Sequence, residues 1–376
     1  MATGTLTSYD LTTGVKINMD EAIYMISPMD TPLLNGYGSN GNTVLASQAV
    51  DVRKFSWMNE SALLPRSLAA AAVTTTATTL NVQAGEGLRF QVGDIIMAHT
   101  VGVDERMRIT GISTDALTIT REYAGTGNAI ASGIEIVALG AALPEGSAPG
   151  GARALDRSEA YNLTQIYGPT KISISRTEQG VNKYGVSDEL AHQMYLRMKE
   201  AAIIREQAFL YGTRTESTTT KIRTSGGVDF FITSNVDATN TQVTVAKLES
   251  NMLNCYDAGG LPDQLWVNPR STATLNAEQD GIVRVTNVET KRGFVPVQTV
   301  TTEYGDLQIL RNRYVDRRTA FAVNREGITR RIFDPMISYK LAVTGDSEDW
   351  MFVCEEGLQV KGEQHMFKMV NLTAYA

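Results

Sequence analysis

The chain is poor in the side chains on which most catalysis and metal binding depend, and each shortage removes a class of function. Among 376 residues there are two cysteines and three histidines. Cys255 and Cys354 stand about a hundred residues apart with no CxxC spacing, so neither a disulfide framework nor a cysteine zinc site is expected, and both read as buried reduced thiols. His99, His192 and His365 fall at no metal-ligand spacing and read as ordinary structural or surface histidines. GxSxG, HExxH and GxxxxGK[ST] are absent, which removes the common hydrolase, zincin and P-loop readings. No apolar run approaches membrane-spanning length, and MATGTLTSYDLTTG lacks the basic start and greasy centre of an export signal; the chain is expected to fold in a cytoplasm, with no membrane partner. A basic surplus is missing too. Lys and Arg number 34 against 41 Asp and Glu, a net charge of −7, so gripping nucleic acid by neutralising phosphates is disfavoured, although lying near it is not.

What is present is ordinary globular material, 43% hydrophobic and 20% charged, long enough for two or three lobes. One stretch is strongly helical. SDELAHQMYLRMKEAAIIREQAFLYG, residues 187–212, opens on Ser187 as N-cap, places Asp188 and Glu189 at the positive end of the peptide dipole, and closes on Gly212 as a left-handed stop. Leu190, Met194, Met198, Ala202 and Phe209 form its apolar stripe, with Arg197, Lys199, Glu200 and Glu206 expected on the wet side. At the standard rise it is a beam of roughly 36 Å.

Ahead of it, residues 1–42 read as an arm: polar, with one apolar patch at 22–26 closed by Ser27-Pro28 and Thr31-Pro32. Residues 42–65 turn extended, with Asp51, Arg53, Phe55 and Trp57 alternating with Val50, Val52, Lys54 and Ser56. Residues 153–175 give a matching mixed strand. Paired, the two would make a long ribbon that no internal core fully claims, and such a ribbon must rest on another subunit. Between them, small-residue tracts at 67–79 and 140–152 flank TLNVQA, IIMAH, ERMRITGI, ALTITRE and GIEIVAL, which predict a barrel or sandwich of about five strands. After the long helix come a second helix over 245–256 ended by Gly259-Gly260, a buried strand at 265–267, a short helix from Ser271 into Asn276, and a series of strands to the end. The class is α+β.

The remaining motifs are weak. Gly36-Tyr37-Gly38-Ser39-Asn40-Gly41 matches GxGxxG but lacks the strand before and helix after that a dinucleotide site needs, so it reads as a turn. Asp346, Glu348 and Asp349 read as a solvated hairpin or a weak divalent-cation site. Glu355 and Glu356, neighbours on a strand, point to opposite faces and make a poor acid/base pair. Arg311, Arg313, Arg317, Arg318, Arg330 and Arg331 are a solvated strand face or a salt-bridging surface for an acidic neighbour. Asn59, Asn162 and Asn371 fit the glycosylation triplet by chance. No catalytic residue, cofactor or metal site is expected.

The order of pieces resembles the major capsid proteins of tailed phages, the Hong Kong 97-type fold, in the subfamily whose extended loop carries a β-insertion. The residues that carry the resemblance are Ser27-Pro28-Met29-Asp30-Thr31-Pro32-Leu33-Leu34, the strands around Trp57 and around Tyr161-Asn162-Leu163-Thr164-Gln165-Ile166, the long helix, Tyr304-Gly305-Asp306-Leu307, and 341–347. The resemblance implies an N-terminal arm (1–41), an extended loop or E-loop (42–65 and 145–175), an all-β insertion (66–144), a peripheral domain (176–239 and 331–376) with a spine helix at 187–212, and an axial domain (240–330). It also implies hexamers and pentamers of the chain enclosing double-stranded DNA without specific binding, assembled in a bacterial cytoplasm with portal, scaffold and decoration proteins. Arg53, Lys54, Trp57, Glu60, Arg157, Glu159, Tyr161, Asp30, Arg317 and Arg318 are the expected subunit contacts. Some relatives weld subunits by a lysine–asparagine isopeptide bond, for which Lys54 and Asn371 are the nearest candidates, with no alignable glutamate catalyst. The family's fused scaffolding segment is not found before the arm, which leaves a separate scaffold or a processed precursor. Competing readings are an encapsulin-like enzyme shell and a β-rich adhesin or tail protein; for the latter a glycan groove would have only Phe90 and Tyr123 to draw on.

Overall fold

The computed structural model describes residues 30–35, 45–60, 64–99, 105–141, 145–146, 157–181, 186, 188–272, 275 and 299–373. Most of the segment read as an arm, the 36–41 glycine motif and half of the expected 271–276 helix lie outside them. The chain divides into two compact units, Met1–Trp57 with Glu159–Ala376, and Met58–Ser158.

In the smaller unit, strands Arg66–Leu68, Thr79–Asn81, Asp94–Ala98, Arg106–Ser113, Ala116–Ala124 and Glu135–Ala141 form one sheet in the order first, sixth, third, fourth, fifth, second. Strict alternation turns Met107 and Ile109 inward against Leu117 and Ile119, and Leu80, Ile96, Ile130 and Ile136 complete a dry centre. Ala70 N–H donates to Asn81 O at 2.8 Å and Gln83 N–H to Leu68 O at 3.1 Å. These bonds join the outer strands to each other and close the sheet, which leaves no long free edge. The Arg66–Leu68 strand falls in the stretch read as a small-residue flank. Three residues are too few to show a period of two. Inside, Glu105 accepts from Arg121 at 2.7 Å with both side chains buried. Burial opposes its charge, but Arg121 and the amides of Asn128 and Glu122 prevail and hold the carboxyl below its usual range.

Arg157 and Glu60 pair at 3.5 Å, so the chain enters and leaves this unit at nearly one point. Excising 61–156 and closing 60 to 157 with Asn-Gly is therefore expected to leave a subunit with one cooperative urea transition by tryptophan fluorescence. Trp57, Trp266 and Trp350 are all outside the cut. A narrower excision of 73–139 would strip Arg66–Leu68 of its partner Glu135–Ala141.

In the larger unit the spine helix runs Glu189–Tyr211. Its N-cap is Asp188 rather than Ser187: the carboxylate accepts from Leu190 N–H at 2.9 Å and Ala191 N–H at 3.2 Å. Gly212 is not left-handed, with φ −57°. Glycine is needed there because a Cβ would lie 2.4 Å from Ala208 O and 2.5 Å from Ser225 O. The buried face also departs from the expected stripe. Ala202, Arg205, Glu206, Phe209 and Leu210 are buried, while Met198 is 48% exposed. The first half of the helix lays Leu190 and Met194 on Ile172, Ile174 and Phe352, and the second half turns a different side into the main core.

A four-stranded sheet orders Ala46–Ala49, Ile328–Lys340, Ser347–Val360 and Gln165–Ser175, the first pair parallel and the others antiparallel. A six-stranded sheet orders Val236–Asp237, Phe367–Met369, Ala320–Val323, Gln264–Val267, Gly305–Arg311 and Thr299–Thr302. Helix Val245–Asp257, capped by Thr244, packs Leu248, Met252 and Cys255 into the same core as Leu265, Val267 and Ile309.

The long unclaimed ribbon is corrected. Among the described residues of 42–65 and 153–175, only Lys54–Asn59 and Ser158–Leu163 form a two-stranded ribbon; Ala46–Ala49 and Gln165–Ser175 are outer strands of the four-stranded sheet. The ribbon is also one-sided, with Phe55 and Trp57 buried and Lys54, Ser56 and Met58 exposed. Asp51 and Arg53, which made the face look mixed, sit in a bend before the strand.

Candidate functional site

The densest polar construction lies where the ribbon meets the four-stranded sheet. Phe55 stacks on Trp57 at 6.2 Å between centroids, and Trp57 meets Phe231 at 5.6 Å. Gly357 makes room for this row, since a Cβ there would come within 2.9 Å of the Phe55 ring. Beside it Asn162 is fully buried and fully used. Its Nδ2, with two hydrogens, lies within hydrogen-bond distance of three acceptors, Ser225 Oγ at 3.1 Å, Gly226 O at 3.0 Å and Leu358 O at 2.5 Å, so one N–H is shared, and its Oδ1 accepts from Leu163 N–H at 2.8 Å and Gly226 N–H at 2.9 Å. One side chain ties the ribbon to a loop and to the central strand. Its match to a glycosylation triplet concealed that role.

Glu355 and Glu356 follow on that strand and point to opposite faces. Glu355 accepts from Arg223 and from Thr164 Oγ1, while Arg223 Nε also donates to Thr164 O at 2.8 Å. Glu356, 1% exposed, takes Arg205 of the spine helix at 3.2 Å on one oxygen and Arg330 on the other. The two carboxylates thus serve separate guanidinium groups and lock strand, helix and ribbon root together. Nearby Tyr167 is driven above its ordinary range by burial first and the Glu356 charge second.

The expected contact residues scatter. Arg53 pairs with Glu216 at 3.7 Å, both largely exposed. Lys54 Nζ lies 4.0 Å from the centre of the Tyr161 ring, which also receives Arg214 at 3.9 Å. Trp57 is spent inside the subunit at 6% exposure. Glu60 and Arg157 pair with each other, and Glu159 is exposed. Asp30 accepts from Arg313 at 2.7 Å, and Arg317 and Arg318 are exposed. Arg330 belongs to the buried cluster, and Arg331 donates to Gln359 Oε1 at 2.8 and 2.6 Å, so the basic run serves several places rather than one face. Asn371 has left-handed φ 58°, with Leu372 N–H donating to Arg318 O at 2.9 Å.

Asp346, Glu348 and Asp349 are held apart by Arg176 at 3.0 Å, Lys340 at 2.8 Å and Lys171 at 2.8 Å; they staple a hairpin instead of converging on an ion. Among the described residues no group of three or more His, Cys, Asp or Glu is placed to hold a metal, and no helix is long and apolar enough to cross a membrane. Burial pushes the Cys354 thiol up to about 11 and the Cys255 thiol up to about 12, which keeps both protonated and inert. Glu206, expected in water, has no exposed surface. Its signal was in the spacing: it follows Ala202 by four residues and precedes Phe209 by three, so it falls on their side of the helix.

A spine helix, a ribbon, an inserted barrel and polar groups that bind the subunit's own elements together define a structural shell protein of the Hong Kong 97-type capsid fold. The chain belongs to the family described as SU10 major capsid protein, which matches residues 2–373; it is a major capsid protein. Similar solved structures are those of the capsid of Myoviridae phage XM1 (9% identity, 98% of this chain and 99% of that one, TM-score 0.52), Microbacterium phage Oxtober96 (11%, 98% and 100%, 0.51) and Mycobacterium phage Bobi (9%, 99% and 100%, 0.51). At such identities the likeness is one of fold. No curated protein sequence matches the chain.

Proposed function

We propose that copies of this chain assemble as hexamers and pentamers into an icosahedral or prolate head around double-stranded DNA, in the host cytoplasm, with portal, scaffold and decoration proteins as partners and without catalysis. In this reading residues 1–41 are the arm, the ribbon Lys54–Asn59 with Ser158–Leu163 is the extended loop, 66–144 the insertion, 176–239 and 331–376 the peripheral domain, and 240–330 the axial domain. The observation that carries it is the ribbon Lys54–Asn59 with Ser158–Leu163: its root is fixed by Phe55, Trp57 and Asn162, yet Met58 is 70% exposed. A two-stranded ribbon in water is marginal, so a neighbouring copy is its natural support. Arg53, Glu60, Arg157, Glu159, Arg317 and Arg318, exposed in the single subunit, are the contacts proposed for it, while Trp57 is assigned to the root. The acidic balance suits a wall past which DNA slides. Negative-stain micrographs and sedimentation of the purified chain, with and without co-expressed scaffold, are expected to show closed shells; a chain that stays monomeric under both conditions would defeat the proposal.

A further inference from the structure

Two loops of the larger unit build a basic notch. Asn268 Nδ2 donates to Val315 O at 2.8 Å and Ser271 Oγ to Arg317 O at 3.1 Å, so the loops are tied to each other. Asn312, fully buried, accepts from Tyr314 N–H at 2.8 Å, and Tyr211 Oη accepts from Asp316 N–H at 2.7 Å. The backbone is therefore held from both sides. Around a cavity of about 640 Å³ this frame sets Arg270, Arg311, Arg313 and Arg317 together with Asp30. Among the described lining residues, four guanidinium groups stand beside one carboxylate, in a chain whose net charge is −7. Asp30 occupies Arg313 at 2.7 Å, while Arg270 and Arg317 make no ion pair among the described residues.

We infer that this notch receives a carboxylate-bearing segment of a second copy of this chain, with Arg270 and Arg317 as the principal donors. Guanidinium forks bind oxyanions in two-point geometry, and several on a preorganised frame select such a group over water. Three observations favour a protein carboxylate over DNA phosphate. The resident ligand, Asp30, is itself a carboxylate. Many basic side chains elsewhere among the described residues are taken within the chain, Arg205 and Arg330 by Glu356, Arg223 by Glu355, Lys171 by Asp349, Lys340 by Glu348 and Lys368 by Asp229, which leaves fewer free cations for the extended positive track a polyanion would require. Each copy also carries an excess of acids, which makes an identical neighbour the nearest source of them.

The inference rests on the shell reading, and its test separates the two. Full-length R270E/R317E and R270K/R317K are compared with the wild-type chain by sedimentation of assembled shells, with the melting temperature of unassembled subunit as a folding control. Charge reversal is expected to cut shell yield by about tenfold or more, with a melting shift within about 2 °C, and the lysine pair to keep most of the yield at low salt and lose it faster as salt rises. Wild-type chain that never sediments as shells overturns the shell reading and this inference with it. R270E/R317E that sediments like wild type overturns this inference alone. Normal empty shells from R270E/R317E that fail only to retain DNA overturn it in favour of a phosphate ligand, and loss that follows the melting temperature in both variants overturns it in favour of a purely structural role.

Discussion

Glu356→Ala is expected to lower the unfolding free energy of the subunit by about 3–5 kcal/mol, read as a fall in urea midpoint by tryptophan fluorescence, because it leaves two arginines in a low-dielectric site without their counter-charge. The magnitude follows from burial. Glu356 is 1% exposed in its side chain, with Arg205 at 10% and Arg330 at 22%, so solvent screens the orphaned charges poorly. All three tryptophans lie in the larger unit, so the signal reports the part of the chain that contains the cluster. A loss of this size is not the net worth of the pairs, since desolvating three charges is itself costly. The triple replacement R205M/R330M/E356L therefore discriminates. It is expected to recover most of the stability lost by Glu356→Ala, because no charge is left buried. If Glu356→Ala costs under about 1 kcal/mol, the cluster is solvated in solution and is not the lock between helix, sheet and ribbon root.

Much of the architecture was legible because it is written in local periodicity. The spine helix, the Val245–Asp257 helix, the Gln264–Val267 strand and the alternating runs of the barrel all repeat their pattern within the segment that forms them. What escaped was non-local. The ribbon's length depends on which partner each half of 42–65 and 153–175 finds, and Ala46–Ala49 finds Ile328–Lys340, nearly three hundred residues away. A short run of mixed side chains cannot announce that. The polar cluster escaped for a related reason: Glu355 and Glu356 looked like a poor catalytic pair, and their actual use needs Arg205, Arg223 and Arg330 from three other elements. Glu206 differs, because its position between Ala202 and Phe209 was visible. A preference for seeing charge in water hid it.

Glu206 also sets the second large effect, which is one of pH. Its carboxyl has no exposed surface, accepts from Asn312 Nδ2 at 2.5 Å through Oε1, and leaves Oε2 without a full hydrogen bond. Burial pushes it from an ordinary 4.5 up to about 7; the amides of Leu33 and Leu34 and the Asn312 side chain pull the other way, and the Asp30 carboxylate adds to the rise. Tyr314, whose buried hydroxyl has no hydrogen-bond partner among the described residues, is a further titratable group that feels its charge. Because the folded state favours the protonated acid, its contribution is fully present below about pH 4.5 and is lost as pH rises through about 7, a change of about 3 kcal/mol once complete. Glu206→Gln keeps the shape and the acceptor for Asn312 but cannot ionise. The variant is therefore expected to match wild type near pH 4.5 and to exceed it by about 3 kcal/mol above pH 8, with most of the divergence between. Urea midpoints across that range measure it, and a constant offset at all pH would mean that the carboxyl is hydrated in solution. Leu33 and Leu34 share a core with Ala202, Phe209 and Leu210, and the helix Pro32–Asn35 presents its first amides to this acid. Ionisation of Glu206 thus bears on how the Pro32–Asn35 helix is held against the spine helix, and the protection of Leu33 and Leu34 from hydrogen exchange, with the intrinsic base-catalysed rise divided out, is expected to fall above pH 7 in wild type but not in Glu206→Gln.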